Sequence, residues 1–489
     1  MPSLSVSRSG SNLKRLGFSS DPIPCKTLGI IGMAFCLFAV FLFSHPGCQS
    51  ELISSHFQHL WVSPPQPNIT TVSPSSPTTI NHIVFGLVGS VGGWRDRKNY
   101  IESWWKPNIT RGYLYLDVPP PADLLPWPSS SPPYRISEDN TKILEITKHD
   151  ATMVRIARGI LETFREGDKG VRWYMMGDDD SIFFIDNIVE VLGKYDHTKY
   201  VYIGGHSESA LPNFIHSYEM GFGGAGVVFS YPLVAALVPK LDDCIKRYPF
   251  IFAADQMWQS CLADLGVYLN AQKGIHQIDL VGDLSGLLSS HPEAPLLSLH
   301  HPEKVDPYFP SMDRHQSVNH LMKAAKVDQS RLLQQTICYH RESNWSLSVS
   351  WGYSVHIYEN IFPKSILQKP LETFQPWVRD VMPPFFIFNT RLPIREPCEA
   401  PHIFLFKSIK NASANRILTN FARVAPRGLP PCPITGNHSA DHIFKIQVIS
   451  FATKLNEENR RECCDLTRFD TKKTIKVKYR ACEKDEVIG

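Results

Sequence analysis

The sequence has no strong excess of charge of either sign, since 50 Lys and Arg residues face 47 Asp and Glu residues. A net charge of +3 lacks the basic surplus of most nucleic-acid-binding proteins, so we expect no nucleic acid partner. No internal repeat is evident. Zinc-knuckle spacing is also missing, most clearly at the adjacent Cys463 and Cys464.

Long hydrophobic runs are absent except for Leu28 to Phe43. As a helix over 27–44, this run spans roughly 27 Å, near the thickness of early secretory membranes. Lys and Arg residues precede it and none follows until Arg95, so the positive-inside rule predicts a cytosolic tail over 1–26 and a luminal body. A cleaved signal peptide is the alternative, although Ser44-His45-Pro46-Gly47 is a poor cleavage site.

Other features also favour a luminal body. The chain contains 11 cysteines, eight of them after residue 243, and disulfides are expected in an oxidising lumen. Spacing does not give their connectivity; we consider a Cys244–Cys261 pair, and Cys48 offers a route to a dimer. N-glycosylation sequons begin at Asn68, Asn108, Asn344, Asn411 and Asn437.

Composition and periodicity divide the rest of the chain into three parts. Residues 45–80 are rich in Pro, Ser and Thr and predict an extended stem. Residues 81–310 alternate apolar strand patterns with helical faces, such as the face from Met153 to Phe164, and predict an α/β domain. Residues 311–489 predict a β-rich accessory unit.

The β-rich prediction for this third part depends on several apolar stretches. Trp345 to Ile357 alternates apolar and polar residues, which favours one half-buried antiparallel strand. Four shorter stretches are further strand candidates, at 385–388, 403–406, 443–449 and 475–479.

The most informative stretch is an apolar run, Trp173 to Gly177, that leads directly into Asp178, Asp179 and Asp180. Three like charges at a strand end repel one another unless a cation is present, and Mg²⁺ or Mn²⁺ bound by carboxylates and substrate phosphates is the functional interpretation. A solvated acidic turn or a helix N-cap is the structural alternative. Two further alternatives are a phosphatase with Asp178 as nucleophile and a glycoside hydrolase, but the latter needs no metal triplet.

Four motifs in order resemble those of the fringe-like glycosyltransferases, and most closely of the plant fringe-related proteins. An Arg-rich segment ends at Trp104-Trp105, and the aspartates match the family's Asp-x-Asp metal motif. Phe222-Gly223-Gly224-Ala225-Gly226 is similar to its glycine turn. The segment from Ala254 to Cys261 resembles its acidic segment, although Ala254 replaces the first acid and Gln259 the usual glycine.

The resemblance covers roughly residues 80 to 310 and implies a GT-A fold, which is a Rossmann-like mixed sheet that binds a nucleotide sugar. It further implies inverting, β1,3-like transfer from a UDP-sugar to a glycan or glycoprotein hydroxyl, with manganese or magnesium. A single-pass Golgi membrane topology with a luminal catalytic domain is also implied, as the predicted anchor independently suggests.

The same resemblance assigns roles to individual residues. Asp255 becomes the general base, with a helix N-cap as its structural alternative. Asp178 and Asp180 become metal ligands, completed by His301 as first choice and His300 as second among the cluster that also contains His291. The remaining donor-site candidates are Asp179, which meets the ribose or orients a neighbour, and the close-approach glycines Gly223, Gly224 and Gly226.

The substitutions at Ala254 and Gln259 also leave room for a catalytically degenerate protein that only recognises glycans.

Overall fold

The computed structural model describes residues 76–291, 294–379, 381–412, 415–433, 439–455, 461–468 and 473–488. The predicted tail and anchor, and nearly all of the predicted stem, lie outside these ranges. Among the described helices, none combines the length and apolar character needed to cross a membrane.

Short strands and helices alternate through the first part of the described chain. Its strands are β1 (Ile83–Val88), β2 (Arg111–Leu116), β3 (Tyr134–Ile136), β4 (Trp173–Asp178), β5 (Ile182–Phe183), β6 (Tyr202–Gly204), β7 (Val227–Ser230), β8 (Leu269–Ala271), β9 (Ile275–His276), β10 (Leu280–Gly282) and β11 (Ser298–Leu299). Its helices are α1 (Val91–Trp104), α2 (Thr141–Thr147), α3 (Ala151–Arg165), α4 (Ile185–Leu192), α5 (Ala210–Ile215), α6 (Tyr231–Leu237), α7 (Leu241–Arg247), α8 (Ala254–Ala263) and α9 (Ser285–Ser289).

Seven of these strands form one mixed sheet in the order β3-β2-β1-β4-β7-β6-β8. Strands β3, β2, β1 and β4 run parallel, whereas β7 is antiparallel to its two neighbours. A parallel-rich sheet with helices on it fits the expected GT-A-like domain. Because parallel strands end at one edge, the register that pairs Val88 with Asp178 brings the first loop of the domain beside the three aspartates.

Helix α3 shows how the local sequence builds this layer. The Asp150 side chain accepts a hydrogen bond from the backbone N–H of Met153 and so caps the first turn. Met153, Ala157 and Ile160 recur at helical spacing and are buried, as the sequence pattern predicts. The helix therefore covers one face of the sheet.

The remainder of the described chain is β-rich. Its helices are α10 (Arg314–Ala325) and α11 (Lys364–Leu367). Its strands are β12 (Gln335–His340), β13 (Trp345–Ser350), β14 (Ser354–Tyr358), β15 (Phe374–Pro376), β16 (His402–Ala412), β17 (Arg416–Arg423), β18 (Lys445–Phe451), β19 (Glu462–Arg468) and β20 (Thr474–Ala481). Eight of these strands form one sheet in the order β12-β13-β14-β16-β17-β18-β20-β19, with only β18 and β20 parallel.

The two sheets share one apolar core, which runs from Ile83 in β1 to Tyr479 in β20. Residues Pro77–Gly489 accordingly form one compact unit. Strand β15 pairs with β10, so the later part of the chain also joins the first part through backbone hydrogen bonds. The boundary at 310 stays a prediction.

Four disulfides link the eight later cysteines: Cys244–Cys261, Cys338–Cys464, Cys398–Cys432 and Cys463–Cys482. The Cys244–Cys261 pair confirms the pairing considered from the sequence. Since Cys463 is already bonded to Cys482, the group that these two make with Glu486 is not a metal site.

Two strand predictions in this part are wrong. Residues 345–357 do not form one half-buried strand, because the chain turns at Gly352 and gives the hairpin of β13 and β14, buried on both faces. Glycine permits this turn at a φ of 77°, while Trp351 and Tyr353 continue the alternating pattern through it. Around Phe386 only an isolated bridge to Ser209 forms instead of a strand.

Candidate functional site

The three aspartates lie where β4 ends. Asp178 is the last residue of the strand, and Asp179 and Asp180 follow in a turn with only 2% and 1% of their surfaces exposed. The next helix begins at Ile185, with Phe184 as its N-cap. The aspartates are therefore neither a solvated turn nor a helix cap, and their burial requires compensating charge.

His300 supplies part of that charge because of a strand pairing just beyond the aspartates. Strand β5 is antiparallel to β11, with Leu299 opposite Ile182, and this register carries the next residue back to the acidic turn. The His300 Nε2 atom lies 3.0 Å from Asp180 Oδ1 and 3.6 Å from Asp178 Oδ2. Sequence alone does not show this pairing, since 120 residues separate the two side chains.

His301 lies beside His300, with the ring centroids 3.8 Å apart. Its Nδ1 atom is 3.4 Å from Asp279 Oδ1, and its backbone adopts a φ of 54°, a left-handed conformation that is uncommon outside glycine. Such backbone strain costs on the order of 1–3 kcal/mol and concentrates at functional sites. His291 does not belong to this group, because its Nε2 contacts His276 Nε2 at 2.8 Å.

Arg97 and Glu303 complete the acidic turn, and the sequence assigned neither a role. The Arg97 guanidinium donates hydrogen bonds of 2.7 Å to both Asp179 and Glu303 and lies 3.7 Å from Asp180 Oδ2. Asp179 also accepts a hydrogen bond from the backbone N–H of Ser90 at 3.3 Å. Both Asp179 oxygens thus have protein partners, which favours an orienting role.

The charges in this cluster pull its pKa values in different directions. Burial raises the pKa of Asp179 to about 6, although Arg97 opposes the shift. For Asp180, burial likewise favours the neutral acid, but His300 and Arg97 outweigh it and hold the pKa below its usual range. Burial would lower the pKa of His300, yet the Asp180 and Asp178 carboxylates raise it well above its ordinary value. Asp180 and His300 therefore form a buried ion pair.

The glycine turn joins this cluster to Asp255. A Cβ atom on Gly224 would lie 2.1 Å from the His300 ring, and one on Gly223 would lie 2.4 Å from Asp255 Oδ1. Both positions therefore need glycine so that the two side chains can approach the backbone. Gly226 instead has a φ of 101° and faces Phe183. Glycine is therefore needed there for the fold rather than for contact with the site.

Asp255 occupies the first turn of α8 but does not cap it, because the N-cap residue is Ala253 and no side chain caps the helix. The N-cap alternative is therefore wrong. Burial of the carboxyl group, together with the negative charges of Asp178 and Asp279, raises the pKa of Asp255 to about 7. A carboxylate with that pKa is suited to accept a proton near neutral pH.

A pocket of about 600 Å³ opens on the other side of the aspartates. Asp178 and Asp179 form one wall, and the first loop of the domain, Gly89 and Ser90, forms another. Arg97 and Arg155 also line it, together with the carboxylates of Asp117, Glu138 and Asp139. Carboxylates therefore outnumber arginines in this lining, so a bound diphosphate would need a cation beside it.

The residues present fit a divalent metal. One donor atom from each of Asp180, His300 and His301 lies within 4.8 Å of the others. Asp180 Oδ2 and the Nδ1 atoms of both histidines are buried and make no hydrogen bond, and a metal ion that binds His300 would displace its proton. A mixed set of carboxylate and imidazole donors suits manganese. The site thus brings together all four predicted ligands, with His300 rather than His301 in contact with the Asp178 and Asp180 carboxylates.

Comparison with known families gives the class of protein to which the chain belongs. The model of a fringe-like family matches residues 134–285, and the model described as "Protein of unknown function, DUF604" matches residues 212–464, about half of the chain. The chain belongs to this DUF604 family and is a fringe-like glycosyltransferase family protein. No curated protein matches the chain. The family supports a glycosyltransferase activity in general terms and leaves donor, acceptor and linkage open.

Proposed function

We propose that this protein is a metal-dependent, inverting glycosyltransferase that moves a sugar from a UDP-sugar to a hydroxyl group of a glycan or glycoprotein. By analogy with the family, the new bond is β1,3-like. The observation that carries the proposal is the position of the Asp180–His300–His301 cluster, which lies between a charged pocket lined by Asp178 and a carboxylate with a raised pKa, Asp255.

The pocket matches the needs of a nucleoside diphosphate. Its volume of about 600 Å³ is within the usual range for small-molecule sites. The Arg155 guanidinium donates to the Gly89 carbonyl at 2.7 Å, which fixes it in the wall. Because carboxylates outnumber the two arginines in this lining, the divalent cation would supply the main positive charge for a diphosphate bound there.

On the opposite side, Asp255 acts as the general base. It accepts the proton of the acceptor hydroxyl while that oxygen forms its bond to the anomeric carbon, and the bond from this carbon to the diphosphate breaks. Attack from the side opposite the leaving group inverts the configuration. Gly223 keeps the backbone close to the base, and Gly224 does the same for His300.

Asp178, Asp180, His300 and His301 would hold the metal, with Mn²⁺ the favoured ion and Mg²⁺ the alternative. A bound divalent cation stabilises the negative charge that develops on the departing diphosphate. Arg97 orients the acidic turn by bonding to Asp179 and Glu303, so that the Asp180 carboxylate faces the histidines.

A Golgi or other early secretory membrane location, with the helix predicted at 27–44 as anchor, belongs to the same proposal. Four disulfides support it, because such bonds persist in oxidising compartments. Two of the predicted glycosylation sites, Asn108 and Asn344, lie in surface turns with a positive φ. Dimer formation stays a prediction.

The test is release of UDP from a panel of UDP-sugars by the purified full-length chain, with Mn²⁺ or with a chelator. Asp180→Asn should lose donor binding, whereas Asp255→Asn should keep donor binding and lose transfer. Folded wild-type protein that neither binds nor cleaves any UDP-sugar with Mn²⁺ would overturn the proposal. Binding of glycans without turnover would instead favour a catalytically degenerate glycan-binding protein. The substitutions at Ala254 and Gln259 are the reason for considering this alternative.

A further inference from the structure

A segment from the later part of the chain lies against the candidate site. Strand β15, residues Phe374–Pro376, pairs with β10 and brings Trp377 next to His301. The segment is also fixed further along, where the Phe385 carbonyl accepts a hydrogen bond of 2.9 Å from the backbone N–H of Ala210. We call residues 371–379 and 381–391 the crossing segment.

Trp377 is held by its backbone while its ring stays partly open. Its N–H donates to the Asp279 carbonyl at 3.1 Å and lies 3.3 Å from Ser209 Oγ. The indole stacks on the His301 ring, with centroids 4.9 Å apart and planes 28° apart, and the residue keeps 37% of its surface exposed. One face of a fixed indole thus covers a candidate metal ligand while part of the ring remains accessible.

The position of Asp279 indicates on which side of the site Trp377 lies. Asp279 contacts His301 at 3.4 Å, and the adjacent glycines Gly223 and Gly224 lie against Asp255 and the His300 ring, so these residues share one neighbourhood. The 600 Å³ pocket proposed for the nucleotide contains neither Trp377 nor Asp255 among the described residues that line it. Trp377 therefore belongs to the side from which an acceptor hydroxyl would approach Asp255.

Other exposed aromatic residues flank the same approach. Phe252 precedes Asp255 by three residues and is 86% exposed, and Phe214 in α5 is 77% exposed. Helix α5 is tied to the crossing segment through Ala210, and the loop after it meets α8 where Gln256 contacts the His216 carbonyl at 3.4 Å. Large apolar side chains left open beside a candidate base suit a ligand with both apolar and hydroxyl-bearing faces.

We infer that Trp377 forms a platform for the pyranose ring of the acceptor, so that the crossing segment completes the acceptor subsite. The C–H face of a sugar ring packs on the open part of the indole, which orients a ring hydroxyl toward Asp255. This inference rests on the proposed function. It gives the later part of the chain a direct role in the reaction.

The experiment compares acceptor transfer with donor hydrolysis in the full-length chain. The acceptors are methyl β-glycosides of galactose, glucose, xylose and N-acetylglucosamine, together with an array of immobilised glycans probed in the presence of UDP and Mn²⁺. Trp377→Ala should raise the acceptor KM and lower the ratio of transfer to hydrolysis by about tenfold, the size of one aromatic contact. Trp377→Phe should recover part of that loss, and Phe444→Ala, an exposed aromatic of the C-terminal sheet, serves as the matched control.

The outcomes separate this inference from the proposed function. If Trp377→Ala lowers hydrolysis and transfer in proportion, the indole only supports His301 and the inference is wrong. It is equally wrong if the wild type cleaves a UDP-sugar but neither transfers to nor binds any glycan tested. Failure of the wild type to bind or cleave any UDP-sugar would remove the proposed function, and this inference with it.

Discussion

Two buried carboxylate–imidazole pairs lie in different parts of the fold and differ in what surrounds them. Asp180 and His300 lie 3.0 Å apart at the end of β4, and Glu359 and His402 lie 2.8 Å apart beside the C-terminal sheet. Each pair is almost completely removed from solvent. The two pairs differ in whether their other polar atoms are hydrogen-bonded and in the charges of the neighbouring residues.

In the Glu359–His402 pair, which we call the closed pair, both carboxylate oxygens accept hydrogen bonds. Glu359 Oε1 accepts hydrogen bonds from His402, from the Ser439 hydroxyl and from the backbone N–H of Ala440, and Oε2 accepts one from the N–H of Cys432. Burial opposes ionisation of Glu359, but these donors lower its pKa to about 2. Burial and neighbouring arginines lower the pKa of His402, so the imidazole is neutral.

The Asp180–His300 pair, which we call the open pair, is buried but has polar atoms that make no hydrogen bond. Its second oxygen and the Nδ1 atom of His300 make no hydrogen bond, and two more aspartates adjoin it. Carboxylates raise the pKa of His300, whereas that of His402 is lowered. The same two chemical groups thus have hydrogen-bond partners in one place, whereas in the other they leave buried polar atoms without a hydrogen bond, which suits a metal site.

The largest expected effect is a loss of activity that a change in the open pair causes and a change in the closed pair does not. Asp180→Asn should lower Mn²⁺-dependent UDP release by about 10³-fold, since it removes a charge that holds the cation at the developing negative charge. The free energy of unfolding should also fall, because the change removes one charge of a buried ion pair, so turnover is compared on samples shown to be folded. UDP release assays give the first quantity and thermal denaturation the second, with the exposed Asp306→Asn as control. Undiminished turnover would mean that the open pair is structural too.

Glu359→Gln should lower the stability of the fold and leave turnover unchanged. Loss of the charge that neighbouring donors and arginines stabilise should lower the free energy of unfolding by about 3 kcal/mol, with turnover of the folded protein unchanged. The pKa of Glu359 falls from its usual 4.5 to about 2 in the folded protein, so its stabilising contribution is present above pH 4.5 and is lost as pH falls toward 2. Chemical denaturation at several pH values measures this, with the exposed Glu483→Gln as control. An unchanged free energy of unfolding would show that the closed pair contributes nothing.

Gly224→Ala probes the space that the open pair needs. A methyl group 2.1 Å from the His300 ring must displace that ring, so Mn²⁺ affinity should fall by about 10–100-fold. Gly92→Ala is the matched control, because a Cβ there meets no atom within 4 Å. Calorimetric titration with Mn²⁺ and UDP distinguishes the two variants. Equal affinities would mean that His300 is not a ligand.

The smallest effect concerns Asp255, which belongs to neither pair. Its pKa of about 7 means that the unprotonated base is depleted below neutral pH. The rate of transfer should therefore fall about tenfold per pH unit below 7 and level off above it. A profile of kcat/KM for the acceptor from pH 5.5 to 8.5 measures this. A flat profile through that range would assign the proton transfer to another group.

Local motifs explain why much of the open site is predictable from sequence. The aspartates follow an apolar strand, the glycines precede β7, and Asp255 begins a helix, so each signal lies within about ten residues. The resemblance then puts them in one site. His300 and His301 are also foreseen, but their order is not, since it depends on the register of β5 and β11.

Contacts between distant segments account for what the sequence leaves out. Arg97 and Glu303 are separated by 206 residues and meet only because α1 begins beside the end of β4. Trp377 reaches His301 through the pairing of β10 with β15, three-residue strands with no distinct sequence pattern. The closed pair likewise brings together residues 359, 402, 432 and 440, which are far apart in sequence. Such long-range contacts leave no pattern in the neighbouring sequence from which they could be predicted.

The most direct test of the account is calorimetric titration of UDP into the full-length protein, with Mn²⁺ and then with excess chelator. We expect binding that requires the metal, that Asp180→Asn abolishes and that Glu359→Gln leaves intact. Metal-independent binding of the same strength, or no binding by the folded wild type, would contradict it.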